Sequence, residues 1–220
     1  MKYRSVFDII GPVMVGPSSS HTAGAVRIGR LSRALFGRKP SHIRLHFYGS
    51  FAKTFKGHAT DVAALAGVLG LEMDDPRIPQ AVDLAQEEGI IVEYIAQEAV
   101  PPHPNTLMVE LWDEQGRMNA TGQSLGGGLV QITQVDGFNL GLSGESPALL
   151  IFHKDAYGTI ASMTQLLAHA RININHMEVS RKDKGKTALM VIETDELVEP
   201  AVIDRMNAQE NVYKIIKLEL

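Results

Sequence analysis

The last third of the chain alternates between two hydrophobic periods in a fixed order, and this order constrains the fold more than any other feature. Apolar residues recur at strand spacing in four segments and at helix spacing in two. Strands are predicted at 148–153, 172–180, 187–193 and 212–218, and helices at 159–170 and 199–208. The resulting order β-α-β-β-α-β, with short polar turns, predicts a ferredoxin-like domain.

The residues before this pattern predict a separate domain of mixed type. Helices are predicted at 20–36, 61–69 and 81–88, and strands at 42–48, 90–95, 106–113, 117–124 and 129–135. Glycine and serine are frequent at 139–147, which makes that segment the best linker candidate. The chain is therefore expected to be an α+β protein, with one domain at 1–146 and a second at 147–220.

Residues 16–22, Gly-Pro-Ser-Ser-Ser-His-Thr, stand at the start of the first predicted helix. The first N–H groups of a helix have no intrahelical acceptors, and the helix dipole favours negative charge there. Serine and threonine are also the preferred N-cap residues, so a simple cap is the alternative. Three serines and His21 exceed what one cap requires, which favours a site for a carboxylate or a phosphate.

Residues 53–58 form a predicted strand-to-helix loop that carries Lys53, Lys56 and His58. Such a loop can hold an anion, although its glycine spacing differs from that of a P-loop. The alternative is a solvated basic loop without a ligand.

Two further loops have restricted or unusual backbones. Three prolines stiffen residues 101–106, which present His103, Asn105 and Thr106 either to a ligand or within a plain connector. Three consecutive glycines at 126–128 allow close approach of a ligand, or equally a tight bend.

Composition excludes several classes of function. The formal net charge of −4 argues against a general nucleic-acid or membrane-surface role, and no apolar run approaches the length of a membrane span. The first residues do not have the pattern of a signal peptide, so we expect a cytoplasmic protein. The chain has no cysteine, which leaves no disulfide, thiol nucleophile or thiolate metal site. Any iron–sulfur cluster would take its cysteines from another polypeptide.

Taken together in this order, these motifs resemble the β subunit of the iron–sulfur-dependent L-serine dehydratases. The resemblance covers essentially the whole chain and rests on residues 16–22, Gly24, residues 48–50, 56–58, 103–106 and 126–128. Residues after 147 resemble an ACT domain. The first domain is also similar to the allosteric substrate-binding domain of some D-3-phosphoglycerate dehydrogenases.

The resemblance implies conversion of L-serine to pyruvate and ammonia by a heteromeric complex in which this chain alone is inactive. It implies a [4Fe–4S] cluster held by the cysteines of an α subunit, with no cofactor or metal bound by this chain alone. It also implies a homodimer formed through the ACT domain. One departure from the family pattern is Phe55, which stands where a smaller residue is usual.

The same resemblance assigns roles by motif position. The expected catalytic residues are His21 and His58. The expected substrate-binding residues are Ser18, Ser19, Ser20, Thr22, Lys53, Lys56, Asn105 and Thr106. The expected effector-binding residues of the ACT domain are Asp155, Gly158, Asn173 and Asn175.

A regulatory role is the alternative to a catalytic one. In that interpretation the chain is an amino-acid-sensing module, and all chemistry lies in a partner. The sequence leaves open whether the first domain is catalytic, allosteric or both.

Overall fold

The structure, a computed structural model, describes residues 13–219. Residues 1–12, which include the first residues considered for a signal peptide, lie outside the described residues, as does Leu220. The chain divides into two compact units, residues 1–136 and 137–220. Within residues 13–219, no helix is long and apolar enough to cross a membrane.

The first unit combines helices with a mixed five-stranded arrangement. Its helices are α1 (Gly24–Phe36), α2 (Gly49–Thr54), α3 (Thr60–Val68) and α4 (Ala81–Glu87). Its strands are β1 (His42–Tyr48), β2 (Ile91–Ala96), β3 (Asn105–Asp113), β4 (Gly116–Gly126) and β5 (Leu129–Val135). They lie in the order β2-β1-β3-β4-β5, with β1 parallel to β2 and the other neighbours antiparallel.

The predicted periods explain how these elements pack. Ile43, Leu45 and Phe47 alternate along β1 and are fully buried, as a strand period of two requires. Helix α1 buries Ile28 and Leu31 and packs against β3, β4 and β5. It ends at Gly37, whose left-handed backbone (φ 78°) allows its N–H to bond the carbonyl of Arg33. The core of this unit therefore lies between α1 and the sheet.

Helices α1 and α3 pack with their backbones in direct contact. A Cβ atom on Gly67 would lie 2.0 Å from the carbonyl oxygen of Val26, and one on Gly29 would lie 2.3 Å from that of Ala64. Both glycines are thus required by close packing rather than by an unusual dihedral angle. This contact fixes the direction of α1, and so the position of the residues before it.

The glycines at 126–128 form a tight bend, which was one of the two alternatives. The loop between β4 and β5 is Gly127-Gly128, with φ angles of 62° and 82°. Two consecutive positive φ angles are typical of a type I′ hairpin turn. The Gly128 carbonyl accepts a hydrogen bond from Arg27 Nη1 at 2.9 Å, which ties the turn to α1.

The second unit confirms the β-α-β-β-α-β prediction. It contains β6 (Phe138–Leu142), β7 (Ala148–Lys154), α5 (Thr159–His169), β8 (Ile174–Arg181), β9 (Thr187–Thr194), α6 (Pro200–Asn207) and β10 (Val212–Leu218). Strands β7 to β10 form an antiparallel sheet in the order β10-β7-β9-β8. Leu149, Ile151, Met190 and Ile192 of that sheet form one core with Met163 and Met206 of the helices.

The linker prediction at 139–147 is wrong for its first residues. Leu140 and Leu142 of β6 are buried, and the ring of Phe138 meets that of Phe152 edge-on at 5.9 Å. The Gly141 N–H donates to the Glu178 carboxylate, which further joins β6 to the second unit. Phe138, Leu140 and Leu142 alternate as a strand requires, but the glycines and serines around them masked this period.

An ion pair between Arg38 and Asp113 joins the segment after α1 to the β3–β4 hairpin. Arg38 Nη2 donates to Asp113 Oδ1 at 2.7 Å, and the N–H groups of Gln115 and Gly116 donate to the same oxygen at 2.9 and 3.0 Å. These bonds, the one from Arg38 above all, lower the pKa of Asp113 to about 2. The unfolded value is about 3.9.

We expect this pair to contribute to acid sensitivity. Because the folded pKa is the lower one, the stabilisation is complete above about pH 4 and is lost as the pH falls towards 2. Asp113→Asn should reduce the fall in unfolding free energy over that window, measured by urea titration. Part of the slope remains, because Asp75 beside Arg77 also has a pKa of about 2. The matched change at exposed Asp74 should leave the slope unchanged, and an unaltered slope in Asp113→Asn would contradict this account.

Candidate functional site

The serine-rich stretch forms the first turn of the helix that continues as α1. Ser18 is the N-cap, and its Oγ accepts the His21 backbone N–H at 3.0 Å. Residues Ser19–Ala23 then form a π-helical turn before α1 begins at Gly24. The cap interpretation is thus correct for Ser18, while Ser20 and His21 remain for other contacts.

His21 has a serine hydroxyl beside each ring nitrogen. Ser20 Oγ lies 3.2 Å from Nδ1, with Ser18 Oγ at 3.5 Å from the same nitrogen. On the other side of the ring, Ser50 Oγ lies 3.1 Å from Nε2. Ser50 belongs to the first turn of α2, so His21 joins the starts of two helices.

His58 lies edge-on to His21. Their ring centroids are 4.9 Å apart with an interplanar angle of 82°, and the buried ring of Phe51 packs against His21 at 5.1 Å. Burial lowers the pKa of His21, and the charge of a protonated His58 lowers it further. His21 is therefore mainly neutral near pH 7, the state in which one ring nitrogen accepts a proton and the other donates one.

The loop carrying His58 is shorter than predicted. Helix α2 continues to Thr54, so Lys53 stands on a helix and the prediction of a loop from residue 53 is wrong. A six-residue helix is too short to show a period in the sequence. The His58 N–H donates to the Thr54 carbonyl at 3.0 Å, and Thr22 Oγ1 donates to the His58 carbonyl at 3.4 Å.

Phe55 anchors this loop. Its ring stacks on that of buried Phe47, with centroids 4.9 Å apart and an interplanar angle of 10°. This ring, at a position where the resemblance predicts a smaller residue, therefore has a packing partner in β1. Ala59, the residue after His58, takes a left-handed backbone with φ 52°, so the anchored loop also holds some strain.

The structure places the two predicted lysines in different surroundings. The Lys56 ammonium lies 3.5 Å from the buried carboxylate of Asp61 and 5.8 Å from the ring centre of Tyr94. Burial, with a contribution from Asp61, raises the pKa of Tyr94 to about 12. Lys53 instead lines an open cleft of about 590 Å³ beside Ala52 and residues 96–101.

The 103–106 loop braces the site. The Ser50 N–H donates to the Pro104 carbonyl at 2.7 Å, and Gly49 pairs with Asn105. Thr106 is 4% exposed, and its hydroxyl donates to the His103 carbonyl at 2.6 Å. Thr106 thus stabilises the loop, and the loop in turn fixes the start of α2.

Sequence reasoning did not select Ser50 as a site residue. The available signal was the motif at residues 48–50, which is part of the resemblance but carried no assigned site role. Gly49 has φ 57°, and its missing Cβ would lie 2.5 Å from the Pro104 oxygen, so this turn needs glycine. Ser50 and His21 are 29 residues apart, and their contact depends on the tertiary fold.

In the second unit, the predicted effector residues do not meet within one chain. Asp155 accepts hydrogen bonds from the Gly185 N–H at 2.8 Å and from Arg181 Nη1 at 2.9 Å, and these bonds, the one from Gly185 above all, lower its pKa. Asn173 and Asn175 donate to Asp195 at 2.7 and 3.2 Å.

These two groups lie at opposite ends of β8. Asn175 and Arg181 are roughly 20 Å apart along the strand at about 3.3 Å per residue. Gly158, with φ 84°, precedes α5 and is near Asp155 in the sequence. The four residues therefore form two separate groups in a single chain.

The chain does not offer the ligands of an iron–sulfur cluster. It has no cysteine, and the residues from 13 to 219 contain no group of three or more histidine, aspartate or glutamate side chains that could hold a metal ion. Such clusters are held mainly by cysteine thiolates. The composition of this chain thus does not fit a cluster of its own.

Comparison with known proteins places the chain in a family. Residues 5–93 match the family model described as serine dehydratase beta chain, and residues 148–211 match that of the ACT domain. A "Probable L-serine dehydratase, beta chain" of Bacillus subtilis is 52% identical over 99% of both chains. The chain belongs to the L-serine dehydratase beta chain family. The expected fold class, α+β with a C-terminal ACT domain, is confirmed.

Two further relatives are similar to this chain. The L-serine dehydratase beta chain of Peptoniphilus asaccharolyticus is 32% identical over 87% of both chains. A D-3-phosphoglycerate dehydrogenase of Synechocystis is 27% identical over 78% of this chain, which covers 31% of that protein. The similarity to D-3-phosphoglycerate dehydrogenases is thus found as well, over a small part of a longer protein.

Proposed function

We propose that this chain is the β subunit of an iron–sulfur-dependent L-serine dehydratase, which converts L-serine to pyruvate and ammonia. The observation that carries the proposal is the pair His21 and His58, placed against serine hydroxyls at a helix start in a chain of this family. The histidines can transfer a proton, and the helix start beside them can bind an anion. The first unit would complete an active site shared with an α subunit.

The partner is proposed because of what this chain lacks. A [4Fe–4S] cluster needs thiolates, and a chain without cysteine leaves them to the α subunit. When bound there, the cluster would supply a Lewis acid for the departing hydroxyl group. The residues of this chain would hold the substrate and move its protons.

The start of the helix is suited to the substrate carboxylate. The first N–H groups of the helix, at Ser19 and Ser20, point towards its N-terminal end, where the dipole favours an anion. The hydroxyl groups of Ser18 and Ser20 lie at the same place, 3.5 Å from each other. Lys56 is engaged with Asp61, so its contribution would be positive charge nearby rather than a direct bond.

The two histidines differ in their exposure to solvent. His58 is exposed, whereas His21 is half-buried and has a serine beside each ring nitrogen. We therefore assign direct exchange of the substrate proton to His58 and support of that exchange to His21. A mainly neutral His21 suits this arrangement, because one of its ring nitrogens accepts a proton while the other donates one.

A regulatory role is proposed for the second unit. Its ACT match favours amino-acid binding, although Asp155 and Asn173 lie at opposite ends of β8. Two copies paired through this unit could place the Asp155 end of one beside the Asn173 end of the other. We accordingly propose a homodimer, which sedimentation of the full chain would reveal as twice the chain mass.

The test of the proposed function is anaerobic purification of the tagged chain from its native cells. We expect a cysteine-containing, iron-bearing partner to co-purify, and the complex to release pyruvate from L-serine but not from D-serine. A well-formed chain that recovers no partner under verified anaerobic conditions, with a related enzyme as positive control, would contradict the proposal. Calorimetry with L-serine would then test the amino-acid-sensing alternative.

A further inference from the structure

We propose that Ser50 is a positioning residue that fixes the tautomer of His21, an inference that rests on the proposed function of this site. Its Oγ lies 3.1 Å from His21 Nε2. The tautomer determines which nitrogen of a neutral histidine donates and which accepts a proton. Ser50 would therefore determine which ring nitrogen of His21 donates a proton and which one accepts a proton beside His58.

The hydrogen bonds around His21 indicate the direction of each proton. Ser18 Oγ already accepts the His21 backbone N–H, so its own hydrogen is free to point towards Ser20 Oγ. The Ser20 hydroxyl then donates to Nδ1 at 3.2 Å. Nδ1 faces the start of the helix, where the positive end of the dipole disfavours a proton on that nitrogen.

It follows that Nε2 carries the hydrogen and donates it to Ser50 Oγ. In the opposite arrangement, Nδ1–H would point at the helix start and Ser50 would donate to Nε2. The dipole argument favours the first arrangement, in which Ser50 is the acceptor for His21.

Ser50 is held rigidly enough for this role. Its N–H donates to the Pro104 carbonyl at 2.7 Å, and its own carbonyl accepts the Thr54 hydroxyl at 2.8 Å. The loop at 103–106 thus acts on His21 through Ser50.

The direct test is the nitrogen NMR spectrum of the imidazole of His21 in the full chain. We expect the Nε2–H tautomer to dominate in the native protein. Ser50→Ala should change the tautomer ratio by about five- to tenfold, the effect of losing one neutral hydrogen bond. Ser50→Thr keeps the hydroxyl and should restore the native ratio.

The chain offers a matched control in Ser41, whose Oγ lies 2.9 Å from Nδ1 of His42 at the start of β1. Ser41→Ala removes a serine–histidine bond of the same kind outside the site. It should leave the His21 spectrum unchanged. A dominant Nδ1–H tautomer in the native chain, or an unaltered ratio in Ser50→Ala, would overturn the inference.

The assembled complex supplies a second readout. Ser50→Ala removes an acceptor that stabilises protonated His21, so the pKa of His21 should fall and the acid limb of the pH profile of kcat should move to lower pH. Ser50→Thr should bring that limb back. A native complex that releases no pyruvate contradicts the proposed function. An active complex whose profile is unchanged by Ser50→Ala contradicts only the role of Ser50.

Discussion

His21→Gln should lower the rate of pyruvate release from L-serine by about 100-fold or more in the assembled complex, because it removes the support that His21 gives to proton exchange at His58, and loss of acid–base catalysis usually costs that much. Glutamine retains a donor and an acceptor for Ser20 and Ser50 but cannot take up a proton. The rate of the chemical step should therefore fall, while the fold and the assembly of the complex are retained. Steady-state kinetics should show it mainly in kcat.

A second histidine serves as the control. His42 stacks on Trp112 with ring centroids 5.0 Å apart, at the end of β1 away from Ser50. His42→Gln should leave turnover unchanged. Normal turnover by His21→Gln in a fully assembled complex would remove His21 from the chemistry.

Gly67→Ala should destabilise the first unit by about 3 kcal/mol, the upper part of the usual range for overpacking a core. The added Cβ would lie 2.0 Å from the Val26 oxygen and 3.0 Å from the Arg30 nitrogen, both in the backbone of α1. Helices cannot yield as a flexible side chain can, so α1 and α3 must separate. Because residues 18–21 lead into α1, activity should fall as well.

The measurement is urea unfolding followed by the fluorescence of Trp112, the single tryptophan of the chain, which reports on the first unit. Gly57→Ala is the control. A Cβ there would meet only the Thr54 oxygen at 3.7 Å, so stability should change little. Equal unfolding midpoints for Gly67→Ala and the native chain would refute the packing argument.

Much of the fold could be predicted because it follows from local periods. The alternation of Ile43, Leu45 and Phe47 identified β1, and the order of strands and helices after residue 147 identified the second unit. Elements without a clear period were missed. Helix α2 has six residues, and β6 lies among glycines and serines.

The candidate site could be predicted in part. Residues 18–22 carry several polar groups in one short stretch, and this concentration is visible in the sequence. The approach of His58 to His21 and the bond from Ser50 depend on how α1, α2 and α3 pack, which no local pattern encodes. The role of Phe55 as an anchor likewise depends on Phe47, which lies in a different element.

The most direct test of the central claim is a complementation titration. Increasing amounts of this chain are added anaerobically to a fixed amount of the iron-bearing partner, and pyruvate release from L-serine is followed. The account predicts little activity from either chain alone and a rise to a plateau at a fixed molar ratio, with no such rise for His21→Gln. Full activity of the partner alone, unaffected by this chain, would contradict a shared active site.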